Sequence, residues 1–385
     1  MGNYELLVLW LVVAARFIVP LSIPRFPLPG IVTSLVLDAA DQTIFQQFPG
    51  LDLTRYQNYD KALDIYYLTI AYISTLRNWK NYFAFQVARF LFYWRLVGVA
   101  LFELTQLRIL LLVFPNTFEY FFIFYETYRL RWDPRLMSKR LIIGAAALIW
   151  VIIKLPQEYW IHTAQIDTTD WIKTYLFGGT ADTTWGDIIN SWSGVLVVLF
   201  LCILLIALAG WRFIRNRLAP AERQMAFSAD AHEAAFTAAQ VREAVDLEAR
   251  QVLDTALVEK VILVTLVSIS FAHVLVGVQA TDIELTAGVA FVVVMNTALS
   301  HWLARRGYGV AFTLQQFVVL VSANSFVMLV YVLFRRMAGD YVAMGNAIFF
   351  VVLFSLLVTL FDHYRQVYLM RFSEGEISSQ NSLNK

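Results

Sequence analysis

Cysteine is nearly absent: the 385-residue chain has one, Cys202, set inside an apolar run. A single thiol excludes an intrachain disulfide and a cysteine-based metal cluster. Charge is scarce as well. Asp, Glu, Lys and Arg make up 15% of the residues, where a soluble domain carries about 25%. The net charge is +1, so no bulk field points to nucleic acid. Five histidines are too few for a desaturase-like di-iron centre. No Gly-rich loop ends in Gly-Lys-Ser/Thr, which argues against an ATP-driven pump on this chain. No zincin motif and no Gly-x-Ser-x-Gly elbow is found either.

Apolar side chains are abundant instead, at 59% of the residues. An excess of this size needs lipid as solvent, and only helices satisfy their backbone there over runs this long. The composition therefore predicts an all-α polytopic transmembrane helical bundle. Apolar runs place spans at 5–23, 62–78, 83–113, 115–131, 141–156, 192–212, 260–280, 284–304, 310–334 and 342–362. The third is too long for an upright helix and must tilt, kink or begin in water. The first has no basic residue ahead of it and no small-x-small cleavage site, so it reads as an uncleaved span.

Lys and Arg set the orientation. The segment RLRWDPRLMSKR, with Arg129, Arg131, Arg135, Lys139 and Arg140, is the strongest cytoplasmic signal. Arg212, Arg215 and Arg217 agree, whereas Arg335 and Arg336 fall on the wrong side. About ten spans with both termini cytoplasmic, in the plasma (inner) membrane, fit this pattern. In that count the stretch GIVTSLVLDAADQTIFQQF does not cross; it follows Pro27 and Pro29 and reads as a short helix that stops at the outer face. An alternative with eleven spans lets it cross and puts Met1 outside. The expected organisation is an N-terminal transmembrane part at 1–165 with charged spans and an extracytoplasmic loop at 166–191. A C-terminal transmembrane part at 192–371 follows, with a cytoplasmic helix at 219–258 and a disordered tail at 372–385.

The chemistry-bearing groups lie in the N-terminal part. A charge at mid-membrane is costly and is normally paired or faces a wet cavity. Arg89, Arg95, Glu103 and Arg108 occupy the third run, and Glu119 and Glu126 the fourth. Matching depths pairs Arg108 with Glu119, and Arg89 or Arg95 with Glu126. Asp38 and Asp41 are three residues apart, and Asp60 and Asp64 four, so each pair shares a helix face. Four carboxylates at one depth have the hard oxygens that suit Mg²⁺ or Ca²⁺, although helix capping and solvation are the better account of loop aspartates. Pro156 is expected to end the fifth span, with Lys154 reaching the interface and Glu158 and His162 just beyond as a ligand or proton pair. Neither a metal set nor a cofactor is assigned.

Intramembrane charge without catalytic motifs predicts a transport or channel-like protein with its polar pathway in the first five spans. Two other classes remain open. One is a membrane enzyme acting on a lipid or isoprenoid substrate through the outer carboxylates. The other is a structural or assembly subunit that meets a second copy or a partner protein through 219–258. The bilayer is the common partner of all three.

Overall fold

The computed structural model describes residues 3–46, 56–164, 168–180, 182–215, 220–232, 255–275, 281–305, 313–337, 339 and 342–371. All regular structure among them is helical. Seven helical segments are long and apolar enough to cross a membrane: Ile109–Arg129, Lys139–Ile161, Trp185–Phe213, Thr255–Val274, Ile283–Ser300, Leu314–Met337 and Met344–Arg371. This is the property of an integral membrane protein.

Three of the ten expected spans are missing from this set, and each for a physical reason. Helix α1 (Asn3–Ile18) is short. Helix α3 (Tyr56–Asn78) and helix α4 (Tyr82–Thr105) carry too much charge and polarity. Yet α3 is the centre of the bundle: Ile65 to Leu76 is buried without a break. A helix wrapped by protein on every side need not match lipid, so hydropathy understates it.

Helix α2 (Pro27–Gln46) corrects the expected short stub. It runs for 20 residues and returns along α1, with Gly30 seated on Ile23. A Cβ at position 30 would lie 2.9 Å from the Ile23 backbone, so only glycine permits this approach. Helices α1 and α3 are then parallel. The Tyr66 hydroxyl donates to the Phe17 carbonyl at 3.0 Å, and Asn78 donates to the Pro24 carbonyl at 3.0 Å. The shared direction of α1 and α3 follows from the return of α2 (Pro27–Gln46) between them.

The long third run breaks at Gln106, which takes a left-handed conformation (φ 58) and caps α4. The short helix α5 (Ile109–Val113) then leads into α6 (Thr117–Arg129). Phe114 packs so closely on Gly98 that a Cβ there would sit 2.1 Å away. Helix α7 (Lys139–Leu148) does not end at Pro156. It continues through a π-helical stretch (Ile149–Lys154), α8 (Leu155–Glu158) and a second π-helical stretch to Thr163. Pro156 lies inside this continuous run, where it removes one backbone donor and the wider π turns accommodate its ring.

Part of the expected loop at 166–191 is helical: α9 (Thr168–Trp171) is followed by a π-helical turn. Helix α10 (Trp185–Arg215), kinked at Trp192, turns the apolar stretch that follows the kink outward, while Ile188 before it is buried. Residues 220–232 are turns and a 3-10 turn rather than the start of a long helix, and 233–254, with Val241, Val245 and Asp246, lie outside the described residues. Helices α11 (Thr255–Val274), α12 (Asp282–Arg305), α13 (Thr313–Met337) and α14 (Met344–Arg371) complete the bundle.

One end of the bundle gathers residues 24–26, 77–81, 131–137 and 222–230. Ala229 donates to the Arg25 carbonyl at 2.9 Å, Asp133 to Glu222 at 3.0 Å, and Asn81 to the Pro134 carbonyl at 3.0 Å. Arg371 reaches the Trp79 carbonyl at 3.5 Å at the same end. The start of α1 therefore lies at the opposite end from the last turn of α14.

Candidate functional site

Three helices meet around one guanidinium. Arg16 comes from the last turn of α1, Asp38 and Asp41 from α2, and Asp60 and Asp64 from the first turns of α3. Arg16 donates to all four carboxylates, with Asp60 at 2.6 Å and Asp64 at 2.8 Å. Arg16 and Asp41 are dry, with 3% and 2% of their side chains exposed, while Asp38, Asp60 and Asp64 keep 23%, 37% and 24%. The cluster thus has a closed floor and an open rim. One positive charge faces four ionisable carboxylates, so the rim is an anionic well whenever most of them are ionised. One oxygen from each of Asp38, Asp60 and Asp64 lies within 4.8 Å of the others. That spacing suits one hard cation, whose oxygens stand about 2.3–2.6 Å from the ion for Ca²⁺.

Tyr67 stands three residues, about one helical turn, beyond Asp64 on α3. Its hydroxyl donates to Glu119 at 2.8 Å, and from there a buried polar chain continues. Glu119 accepts from the Asn116 amide at 2.9 Å and stands 3.6 Å from Lys154. The backbone N–H of Asn116 donates to Glu158 at 3.1 Å, and Glu158 lies 3.6 Å from Arg95. Arg95 also donates to the Phe114 carbonyl at 3.1 Å, and the Lys154 ammonium sits 3.9 Å over the Tyr120 ring. Glu119, Lys154, Glu158 and Arg95 are all buried.

These pairings correct the depth-matched ones. Glu126 is bound by the Trp79 indole at 2.9 Å and by Arg129 of its own helix at 2.8 Å. Arg89 pairs with Glu259 of α11 at 3.3 Å, where the Tyr72 and Tyr93 hydroxyls also donate. Arg108 is exposed in the break between α4 and α5 and does not reach Glu119. Glu103 is buried in the last turn of α4, in the field of Lys61 and His273. The His162 side chain lies outside the described residues, so its pairing with Glu158 is untested. Matching only adjacent spans failed because α7, α8 and α11 also pack on α4 and α6.

Sequence reasoning missed Arg16, Tyr67, Asn116, Glu259, Lys260 and Asp362. The last two form a buried pair between α11 and α14, with Thr297 3.0 Å from the ammonium. The C-terminal helices therefore bury charge too. Arg16 had one available signal: a lone arginine in an apolar run with no acidic residue near it.

The fold and site define a polytopic helical membrane protein with a polar core. Comparison with known protein families, curated proteins and solved structures finds no match for the chain.

Proposed function

We propose that the protein is a transporter or channel-like protein for a small cation, protons included, in the plasma (inner) membrane. The observation that carries this reading is the convergence of Asp38, Asp41, Asp60 and Asp64 on Arg16, with an open rim. A cation entering the rim meets uncompensated carboxylate, while Arg16 holds the floor. The Tyr67–Glu119–Asn116–Glu158–Arg95 chain supplies further polar groups along the same half of the bundle. In this arrangement the Lys154–Glu119 and Arg95–Glu158 pairs close the path and exchange partners when it opens. The arginine-rich end, with Arg129, Arg131 and Arg135, faces the cytoplasm, so the start of α1 lies outside.

The test is ion flux into liposomes that contain the purified protein, driven in turn by gradients of H⁺, Na⁺ and K⁺. Asp38→Asn combined with Asp64→Asn is expected to reduce flux at least tenfold while the protein stays folded. Unchanged flux for every ion would overturn the reading.

The carboxylate oxygen spacing also favours a second reading: an enzyme in which Asp38, Asp60 and Asp64 hold a divalent cation against a phosphate-bearing lipid or isoprenoid. Mn²⁺ binding followed by paramagnetic resonance separates the two. Binding that requires these aspartates, in a protein that passes no ion, would favour the enzyme.

A further inference from the structure

A groove of about 470 Å³ runs along the outward side of α4, with Gln86, Arg89, Phe90, Tyr93, Val97 and Phe114 among its walls. Phe83, Gln86, Phe90, Tyr93 and Val97 recur at intervals of three and four residues, so they form one stripe on the helix. Phe90 and Val97 are exposed on it. Arg89 borders the stripe on the side of α11, where Glu259 stands. Trp94 borders it on the other side, its ring 4.6 Å from Phe114 and 5.9 Å from Trp150 of the π-helical stretch after α7.

The polar groups here are out of balance. Glu259 is met three times over: the Tyr72 and Tyr93 hydroxyls donate to it, and Arg89 lies 3.3 Å away. The Arg89 side chain is 38% exposed, and none of its N–H groups makes a hydrogen bond among the described residues. Lys139 reaches the same stripe from the start of α7, with its ammonium 5.8 Å over the Phe83 ring. It pairs with no carboxylate among the described residues. Donors are therefore in surplus and face outward. Arg89 stands eight residues past the Asn81 cap, about 12 Å along the helix, while Lys139 lies at the level of the cap, where Asn81 donates to the Met137 carbonyl at 3.2 Å. The two cations thus bracket the boundary between headgroups and hydrocarbon, whose polar layer is about 5–7 Å deep. A guanidinium turned towards lipid is costly unless an anion reaches it. A zwitterionic headgroup would bring its own cation against Lys139 and Arg89. What fits is a phosphate without a positive charge beside it, carried on an apolar chain.

We propose that this groove binds one anionic phospholipid of the adjacent leaflet, with its phosphate between Arg89 and Lys139 and an acyl chain along Phe90, Val97 and Phe114. The site is separate from the aspartate cluster and does not depend on the transport reading.

Photolabelling of the full-length protein in phosphatidylcholine nanodiscs tests it, with phosphatidylglycerol carrying a diazirine in one acyl chain as the probe. Labelling is expected to saturate and to map to 90–97 and 113–114. Unlabelled phosphatidylglycerol should compete, and added phosphatidylcholine should not. Lys139→Gln should weaken binding about fivefold, the scale of one basic side chain at a membrane surface. Arg89→Gln alone would strand Glu259, so it is combined with Glu259→Gln. That double variant leaves the net charge unchanged and should also weaken binding about fivefold. Arg135→Gln removes an exposed arginine at the same end of the bundle and should leave labelling as it was. Equal competition by phosphatidylcholine would reduce the groove to ordinary lipid contact and overturn the proposal. So would unaltered labelling in folded Lys139→Gln and the double variant, or an equal loss in Arg135→Gln, which would assign the effect to surface charge in general.

Discussion

Arg16 and Asp41 are 25 positions apart in the chain and form a bonded pair from which water is almost wholly excluded. Burial makes the loss of either partner expensive. Removing one member of a buried pair costs about 3–5 kcal/mol, whereas an exposed pair contributes at most about 1 kcal/mol. Arg16→Gln should be the most damaging change, since it strands four carboxylates, followed by Asp41→Asn. Asp60→Asn, at the more exposed rim, should be nearly neutral. Thermal unfolding in detergent gives the order; equal midpoints for Arg16→Gln and Asp60→Asn would contradict it.

The Lys260–Asp362 pair invites a different experiment. Its ammonium is held by one carboxylate oxygen and by Thr297, and the other carboxylate oxygen has no partner among the described residues. Lys260→Met or Asp362→Leu alone should cost about 3–5 kcal/mol. The double variant should recover most of that loss, because packed apolar groups replace both charges together. A double variant as unstable as the sum of the singles would show that the pair's geometry, not its charge balance, matters.

Tyr67, about one helical turn beyond Asp64, donates its hydroxyl to Glu119. Tyr67→Phe deletes a hydrogen bond to a charged group, worth about 1.5–3 kcal/mol. If ions follow this chain, flux should fall several-fold beyond any loss of folded protein. Tyr72→Phe is the control, as its hydroxyl serves Glu259 instead. Similar flux in the two variants would remove Tyr67 from the path.

Trp79 combines two interactions that can be separated. Its indole N–H binds Glu126 at 2.9 Å, and its ring stacks on Tyr125 with centroids 3.8 Å apart. Trp79→Phe should keep much of the stack and lose about 1–3 kcal/mol for the unmet carboxylate. Adding Glu126→Gln should restore part of it, giving a coupling of about 0.5–3 kcal/mol in a double-mutant cycle. Strict additivity would show that the hydrogen bond carries no weight.

The all-helical membrane class was legible from composition, and the two aspartate pairs from their spacing. The partners were not. Arg16 lies inside an apolar run, and nothing local shows that it meets residues from two later helices. Glu119 and Glu126 were legible as buried charges. Their partners depended on which helices pack side by side, and Lys154, Trp79 and Arg129 come from three different segments. Polarity also hid α3, because hydropathy measures fitness for lipid and this helix contacts protein instead. The same logic hid Pro156: a helix that widens into π turns tolerates a proline that would stop an ordinary one.

The order of the helices has a consequence for biosynthesis. Arg16 emerges from the ribosome before any of its aspartates, and its first partners, Asp38 and Asp41, follow 22 and 25 positions later on α2. A nascent chain that ended between α1 and α2 would present the bilayer with an unneutralised guanidinium. The α1–α2 hairpin is accordingly the shortest stretch of chain in which Arg16 has a counter-ion, and α3 completes the cluster with Asp60 and Asp64.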